Sequence, residues 1–270
     1  MHPQGGPPQK IALPGIKYVV AVASGKGGVG KSTVAVNLAL ALHMQGRRVG
    51  LMDADIYGPS IPMMLDIHVD VATPDPVERY GLKVMSMGFV LGPNQAAVLR
   101  GPMVHKYLTA FLTQVRWGEL DYLLVDLPPG TGDAQLSLSQ SAPLAGAVTV
   151  VTPQDLSLAV ARRGMAMFQQ VRVPLLGVVE NMSYFIGEDG KRYDIFGQGG
   201  GRKLAAEAGI PFLGEIPIDP RVAACGDAGD PIVHKYPDSA VAKAYLALAT
   251  NLSQELAKGP RQQELPGLNL

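Results

Sequence analysis

This chain of 270 residues has only one cysteine and no long apolar run, and we do not expect a signal sequence. The single cysteine, Cys225, cannot form an intramolecular disulfide, which excludes a disulfide-stapled secreted fold and fits a reducing compartment. No apolar stretch reaches the ~18–20 residues that a membrane span needs. Residues 1–14 show neither the charged nor the apolar region of a signal peptide. We therefore expect a cytoplasmic protein that does not contact membranes.

Net charge is also lacking. Lys plus Arg and Asp plus Glu number 23 each, so the formal net charge at pH 7 is +0. A chain with this balance generates no overall field that would attract nucleic acid or anionic lipid. We therefore do not expect nucleic acid among its partners.

Hydrophobic residues make up 47% of the chain, enough for a large core, and short β-branched runs alternate with longer helix-like segments. This alternation predicts an α/β fold: a mostly parallel, twisted sheet with helices on both faces and ligands beyond the carboxyl ends of the strands. We expect one domain over residues 16–257, between a flexible arm (1–15) and a flexible tail (258–270). The predicted strands are 18–23, 48–52, 122–126, 147–151, 175–180 and 212–216, and the predicted helices are 31–45, 103–115, 155–170, 201–208 and 239–257.

A glycine-rich loop follows the first predicted strand and precedes a helix, as the phosphate-binding pattern G-x-x-x-x-G-K-[ST] requires. Glycines allow backbone N–H groups to converge on phosphate oxygens, and the helix N-terminus adds its positive end. Lys31 is expected to reach the β- and γ-phosphates of ATP, Ser32 to bind Mg²⁺, and Thr33 to support the phosphates. The whole predicted cradle is Gly25, Lys26, Gly27, Gly28, Val29, Gly30, Lys31, Ser32 and Thr33.

Acidic residues end two further strands. Asp53 and Asp55 would lie on the same side if their strand continued, so that both can face the phosphates. Asp126 ends an apolar strand in the Walker B pattern and is expected to hold Mg²⁺ through a water molecule. The loop after it contains Gly130, whose amide is placed to sense the γ-phosphate, and Asp133, a predicted helix cap.

The second lysine of the loop, Lys26, gives a K-G-G-x-G-K pattern that resembles the deviant Walker A ATPases, such as the nitrogenase iron protein and the Min and Par ATPases. The resemblance implies a SIMIBI-type P-loop NTPase that acts as a homodimer. Lys26 would then cross the interface and neutralise charge that develops at the partner's nucleotide. In the same group, Asp55 matches the residue that orients the attacking water. Asp53 is a supporting acid, grouped with Ser32 and Asp126 in the expected magnesium set.

The resemblance also implies where the base binds. Asn181 stands where this group uses an asparagine to hydrogen-bond adenine, although from the residues alone it reads as a turn former. Pro217 and Asp219 match the loop that closes over the adenine ring.

Five stretches together resemble one branch of this group, the Mrp family (also called ApbC) of iron–sulfur cluster carrier ATPases, over residues 16–257. The resemblance implies a cytoplasmic homodimer that hydrolyses ATP and, with scaffold proteins, delivers a [4Fe–4S] cluster to apo-proteins. The stretches are D-A-D-I-Y-G-P-S-I-P at 53–62, R-G-P-M at 100–103, D-L-P-P-G-T-G-D at 126–133, N-M-S at 181–183, and I-F-G with G-G-G at 195–201.

The sequence departs from this family at the cluster ligands. Gly187 and Gly190 occupy the positions of the family's C-x-x-C pair, and glycine has no side-chain ligand atom. Clusters are normally held by four thiolates, whereas a dimer of this chain would supply two Cys225 thiols at most. No iron–sulfur ligands are therefore identifiable. The carrier function stays open beside two alternatives: an ATP-dependent dimerisation switch of the ParA or MinD kind, and a regulatory ATPase without cargo.

Overall fold

The computed structural model describes residues 11–56, 58–69, 74–90, 101–130, 135–136, 138–139 and 142–259. Most of the predicted arm, nearly all of the predicted tail, and Asp133 lie outside these residues. Within the described part of the arm, the side chains of Ile11 and Leu13 pack against the buried core. These two residues therefore pack on the domain, while the boundary at residue 15 stays a prediction.

The described residues form an eight-stranded sheet with the spatial order β10-β7-β6-β1-β5-β2-β4-β3. Neighbouring strands are parallel except at the edge, where β3 runs antiparallel to β4. The predicted mostly parallel sheet is confirmed. The strands are β1 Ile16–Ser24, β2 Val49–Asp53, β3 Val77–Arg79, β4 Leu82–Ser86, β5 Leu120–Asp126, β6 Leu144–Val151, β7 Leu175–Glu180, β8 Phe185–Ile186, β9 Arg192–Tyr193 and β10 Phe212–Glu215.

Helices cover both faces of the sheet, because successive strand residues point to opposite sides. Val20 and Val22 belong to the core that contains α1 and α8, whereas Val19, Ala21 and Ala23 belong to the core with α3 and α4. The helices are α1 Lys31–Met44, α2 Ile61–Met64, α3 Gly101–Thr113, α4 Asp155–Gln170, α5 Gly200–Glu207, α6 Pro220–Asp227, α7 Ile232–Lys235 and α8 Ala240–Ala257, with a 3₁₀ turn at Met87–Phe89.

Helix α1 lies in the middle of one core. Its residues from Val34 to Leu42 are all buried, so it lacks the polar face of a surface helix. Within the described segments, no helix combines the length and the apolar character needed to cross a membrane.

The β3–β4 hairpin was not predicted from the sequence. Tyr80 and Gly81 form its turn with φ angles of 51° and 75°, the left-handed pair of a type I′ turn. The usual signal for this turn is Asn-Gly or Asp-Gly, which Tyr-Gly does not match. The hairpin extends the sheet beyond β2, and Asp53 pairs in register with Ser86 of β4. Asp53 therefore has a neighbouring strand on each side and does not lie in an outer strand of the sheet.

Alanine at Gly81 is expected to destabilise the fold more than alanine at Gly46. Both glycines are left-handed, with φ of 75° and 78°, so both variants carry the same backbone strain of ~1–2 kcal/mol. A Cβ at Gly81 would lie 2.2 Å from Nε2 of His43, whereas one at Gly46 meets nothing within 4 Å. Urea unfolding should show an additional loss of ~1–3 kcal/mol for Gly81→Ala. Equal losses would show that His43 moves aside freely.

Candidate functional site

The phosphate loop lies at the carboxyl edge of the sheet, between the end of β1 at Ser24 and the start of α1 at Lys31. Two of its glycines are required by close packing. A Cβ on Gly25 would lie 2.6 Å from the backbone nitrogen of Ala161 in α4. Gly30 is left-handed, with φ 78°, and a Cβ there would lie 2.3 Å from the Asn181 amide nitrogen. The loop therefore has the strand–loop–helix setting that the sequence predicted, and it packs closely on its neighbours.

Lys31, Ser32 and Asp126 meet next to this loop. The Lys31 ammonium donates to Asp126 Oδ1 at 2.6 Å, and the Ser32 hydroxyl donates to Asp126 Oδ2 at 2.5 Å. Lys31 is 6% exposed and Asp126 is fully buried. Burial raises the pKa of Asp126 above its ordinary value, while Lys31 and Ser32 oppose that rise. An ammonium, a hydroxyl and a carboxylate are thus held together in a nearly dry position, as phosphate and Mg²⁺ binding require.

Asp53 is fully buried and is engaged with three donors. Its Oδ1 accepts from the Asp55 N–H at 3.1 Å, and its Oδ2 accepts from the Ser86 hydroxyl at 2.9 Å and the Ile61 N–H at 3.3 Å. Burial and the nearby Asp126 charge raise the pKa of Asp53 to about 7. Through these contacts the Asp53 carboxylate holds the surrounding backbone, and its expected place in the magnesium set stays a prediction.

Asp55 lies beyond the end of β2, so the condition that its strand continue is not met. Its Oδ1 accepts from the Gly58 N–H at 3.3 Å, and its Oδ2 lies 3.9 Å from the Lys31 ammonium. Asp55 therefore faces the phosphate loop through the turn after the strand and not through strand alternation.

Gly130 is engaged with β1. Its N–H donates to the Ser24 carbonyl at 3.0 Å, and its φ is 93°. The amide expected to sense the γ-phosphate is thus used within the protein, and it must exchange this bond in order to contact a phosphate.

A cavity of about 530 Å³ opens beside the phosphate loop, in the size range of small-ligand pockets. Its lining includes Gly30, Thr33, Asn181, Pro217 and Asp219. The residues expected around the adenine ring therefore surround one space that adjoins the loop.

Asn181 and Asp219 differ in how they border this cavity. The Asn181 amide nitrogen donates to the Val29 carbonyl at 2.9 Å, which ties the end of β7 to the phosphate loop. The Asp219 carboxylate accepts from the Arg221 N–H at 2.9 Å as the cap of α6 and pairs with the Arg221 guanidinium at 2.6 Å. Arg221 lowers the pKa of Asp219. Asp219 therefore holds the cavity loop in place by capping a helix.

Lys26 is partly exposed at the start of the loop. Its carbonyl accepts from the Ser24 hydroxyl at 2.9 Å, which fixes the backbone there. Among the described residues, no acidic side chain pairs with the Lys26 ammonium.

The two glycines at the expected cluster position lie in the β8–β9 hairpin. A Cβ on Gly187 would lie 2.8 Å from both the Tyr193 ring and Asp189 Oδ1, and Gly190 is left-handed with φ 74°. The Tyr193 hydroxyl donates to Asp189 Oδ2 at 2.9 Å. The turn is therefore closed by its own side chains around Gly187.

Cys225, the single cysteine of the chain, lies apart from this hairpin in α6. It is 2% exposed within α6, and burial raises the pKa of its thiol. Within the described residues, no group of three or more His, Cys, Asp or Glu side chains is arranged to hold a metal ion.

The sequence matches a known family over residues 15–253, described as ParA: NUBPL iron-transfer P-loop NTPase. The chain belongs to this family. The iron-sulfur cluster carrier protein of Aquifex aeolicus (strain VF5) is 52% identical over 250 residues, which cover 90% of this chain and 69% of that protein. The iron-sulfur cluster transfer protein NUBPL of Mus musculus is 46% identical over 263 residues, which cover 94% of this chain and 82% of that protein.

Solved structures share the fold of this NUBPL-type NTPase. A nucleotide-binding protein from Archaeoglobus fulgidus in complex with ADP has a TM-score of 0.71 and 44% identity, covering 80% of this chain and 88% of that chain. The cell division ATPase MinD of Pyrococcus furiosus has a TM-score of 0.70 and 21% identity, covering 88% and 98%, and shows the fold alone. The predicted fold class and the resemblance to iron–sulfur carrier ATPases are confirmed.

Two residues of the site were missed from the sequence. Ser86 donates to Asp53, and Glu180, fully buried, accepts from the Ser183 hydroxyl and the Gly201 N–H at 2.5 Å each. Glu180 thereby fixes the strand end that carries Asn181. The only sequence signal for Ser86 is a short apolar strand that ends in a polar residue.

Asn181→Ala is expected to weaken ADP binding about tenfold, since it releases the phosphate loop from β7 and removes a cavity side chain. Asn251→Ala is the matched control, because its amide also donates to a backbone carbonyl, that of Leu213 at 2.7 Å. Calorimetric titration with ADP measures both variants. Equal affinity in the two would contradict the role of Asn181 in the nucleotide site.

Proposed function

We propose that this chain binds MgATP and hydrolyses it as a cytoplasmic homodimer, in the assembly and transfer of iron–sulfur clusters to apo-proteins. The observation that carries the ATPase is the meeting of Lys31, Ser32 and Asp126 beside the cavity of about 530 Å³. The names of the relatives at 52% and 46% identity support the cluster-transfer process.

In this proposal the loop binds the phosphates through the backbone N–H groups of residues 25–33. Lys31 neutralises the β- and γ-phosphates, which then share its ammonium with Asp126. The Ser32 hydroxyl and the Asp126 carboxylate fit Mg²⁺, since both are hard oxygen ligands and lie 2.5 Å from each other. When bound, Mg²⁺ would neutralise charge on the phosphate oxygens.

Hydrolysis requires an oriented water and a stabilised leaving charge. Asp55, whose Oδ2 lies 3.9 Å from Lys31, is proposed to orient the water. Lys26 of the partner copy is proposed to stabilise charge on the transferred phosphoryl group, as an arginine finger does. The Gly130 N–H would leave the Ser24 carbonyl to contact the γ-phosphate, which couples the Walker B loop to the nucleotide state.

The base is proposed to enter the cavity beside Asn181. The amide nitrogen of Asn181 is engaged with Val29, so its carbonyl oxygen is the group that can accept from the adenine amino group. Pro217 and the loop capped by Asp219 would cover the ring.

The cluster is proposed as cargo that apo-proteins and scaffold proteins exchange with the help of this ATPase. The relatives favour this function over a ParA- or MinD-like switch, because the solved MinD of Pyrococcus furiosus is only 21% identical. The described residues provide no ligand set for the cluster, and the Gly187 turn is closed.

Asp55→Ala is expected to lower ATP turnover by at least ~100-fold and to trap an ATP-bound dimer, since binding groups remain but the water is not oriented.

Lys26→Ala should lower the turnover of the dimer, because the positive charge that crosses the interface to the partner's nucleotide is then missing. Asp121→Ala is the control, because Asp121 lies on the same β5 strand as Asp126 but pairs with Arg48 at the surface. Phosphate release gives the rate and light scattering gives the oligomeric state.

Two outcomes would contradict these roles. Wild-type turnover in Asp55→Ala would exclude Asp55 from water positioning. Equal turnover per chain in the monomeric and dimeric forms would exclude a role of Lys26 across the interface.

Anaerobic reconstitution with iron and sulfide tests the cargo. We expect less than one cluster per dimer, and no change in Cys225→Ser, since the thiol is buried. Iron content and the visible spectrum are the measurements. A stoichiometric cluster that is lost in Cys225→Ser would overturn the assignment of Cys225 as a core residue.

A further inference from the structure

Ser86 is a fully buried hydroxyl at the end of β4, directly beside Asp53 in the sheet. Its oxygen accepts from the Gly88 N–H at 3.0 Å and caps the Met87–Phe89 turn. A hydroxyl has one proton to donate, and here it goes to Asp53 Oδ2 at 2.9 Å. The Gly88 bond thus fixes the orientation in which Ser86 holds the carboxylate.

The Asp53 carboxylate, held in this orientation by Ser86, in turn accepts hydrogen bonds from two backbone amides. It accepts from the Asp55 N–H at 3.1 Å and from the Ile61 N–H at 3.3 Å. The first bond sets the position of Asp55 opposite Lys31. The second holds the first residue of α2, the helix whose Met63 and Met64 line the nucleotide cavity.

We propose that Ser86 is a positioning residue for ATP hydrolysis, which acts by fixing the Asp53 carboxylate that holds Asp55 in place. The proposal rests on the proposed function, in which Asp55 orients the attacking water. Because Ser86 is not among the residues that line the cavity, its loss should affect the hydrolytic step more than the binding of ATP.

Ser86→Ala is expected to lower kcat about tenfold, the effect of losing one buried hydrogen bond, with KM for ATP within about threefold. Ser86→Thr keeps the hydroxyl and should retain more than half of the wild-type kcat. Ser253→Ala is the control, because it also removes a serine hydroxyl that bonds to a side chain, the Tyr122 hydroxyl at 3.0 Å, far from the loop. Steady-state phosphate release measures all three.

Hydrogen exchange gives a readout that does not depend on ATP turnover. Ser86→Ala should speed the exchange of the Asp55 and Ile61 amides about tenfold, while the Asp230 amide, bonded to the Cys225 carbonyl at 3.0 Å, keeps its rate. If the wild-type chain does not hydrolyse ATP, the proposed function fails. The exchange result then still decides whether Ser86 orders Asp55.

Three outcomes would overturn the proposal. An unchanged kcat in Ser86→Ala is the first, and an equal fall in Ser86→Thr is the second. The third is a fall in kcat that is as large when Ser86→Ala is added to Asp53→Asn as when it is made in the wild-type chain. A residue that acts through Asp53 should have little further effect once Asp53 is changed. If Ser86→Ala does not fold, Ser86→Thr and the Asp53→Asn cycle built on it decide the question.

Discussion

The buried contact between Lys31 and Asp126 is the interaction on which the site depends. Removing one partner of a buried ion pair leaves an uncompensated charge and costs ~3–5 kcal/mol, so neither residue can be changed alone without penalty. The contact joins the start of α1 to the end of β5, the strand beside β1. Lys31 also places its positive charge near Asp53 and Asp55. Without this charge, the three carboxylates of Asp53, Asp55 and Asp126 would lie together in a poorly solvated place.

The strand order explains why these groups meet. β5 lies between β1 and β2, so the phosphate loop and both acidic strand ends share one edge, although residues 31, 53 and 126 are far apart in sequence. The sequence predicted the loop and the Walker B strand because each is a local pattern of residue types. It could not predict the order of strands, the Tyr80-Gly81 hairpin that lacks the usual turn residues, or the bond from Asn181 to Val29, since each depends on distant contacts.

The type of a residue also indicates its role less well than its hydrogen-bond partners do. Asp53, Asp219 and Gly130 were each expected to serve a ligand, and each is engaged inside the protein, with Ser86, Arg221 and Ser24 respectively. A carboxylate at a strand end is visible in a sequence, whereas the donors around it are not. Asp55 shows the converse: the strand ends before it, yet its side chain reaches Lys31 through the following turn.

The hairpin of Gly187 stands where the family resemblance places the cluster ligands. Tyr193 and Asp189 fill the space of a side chain at 187, and a residue other than glycine at 190 would be strained by its left-handed backbone. The hairpin nevertheless stays connected to the nucleotide cavity, because Ile218 of the cavity lining donates to the Tyr184 carbonyl at 2.6 Å. The cavity loop is therefore hydrogen-bonded to a hairpin that carries no thiol. Any thiolates from a dimer of this chain would have to be the two Cys225 thiols, which lie buried in α6 and not in this hairpin.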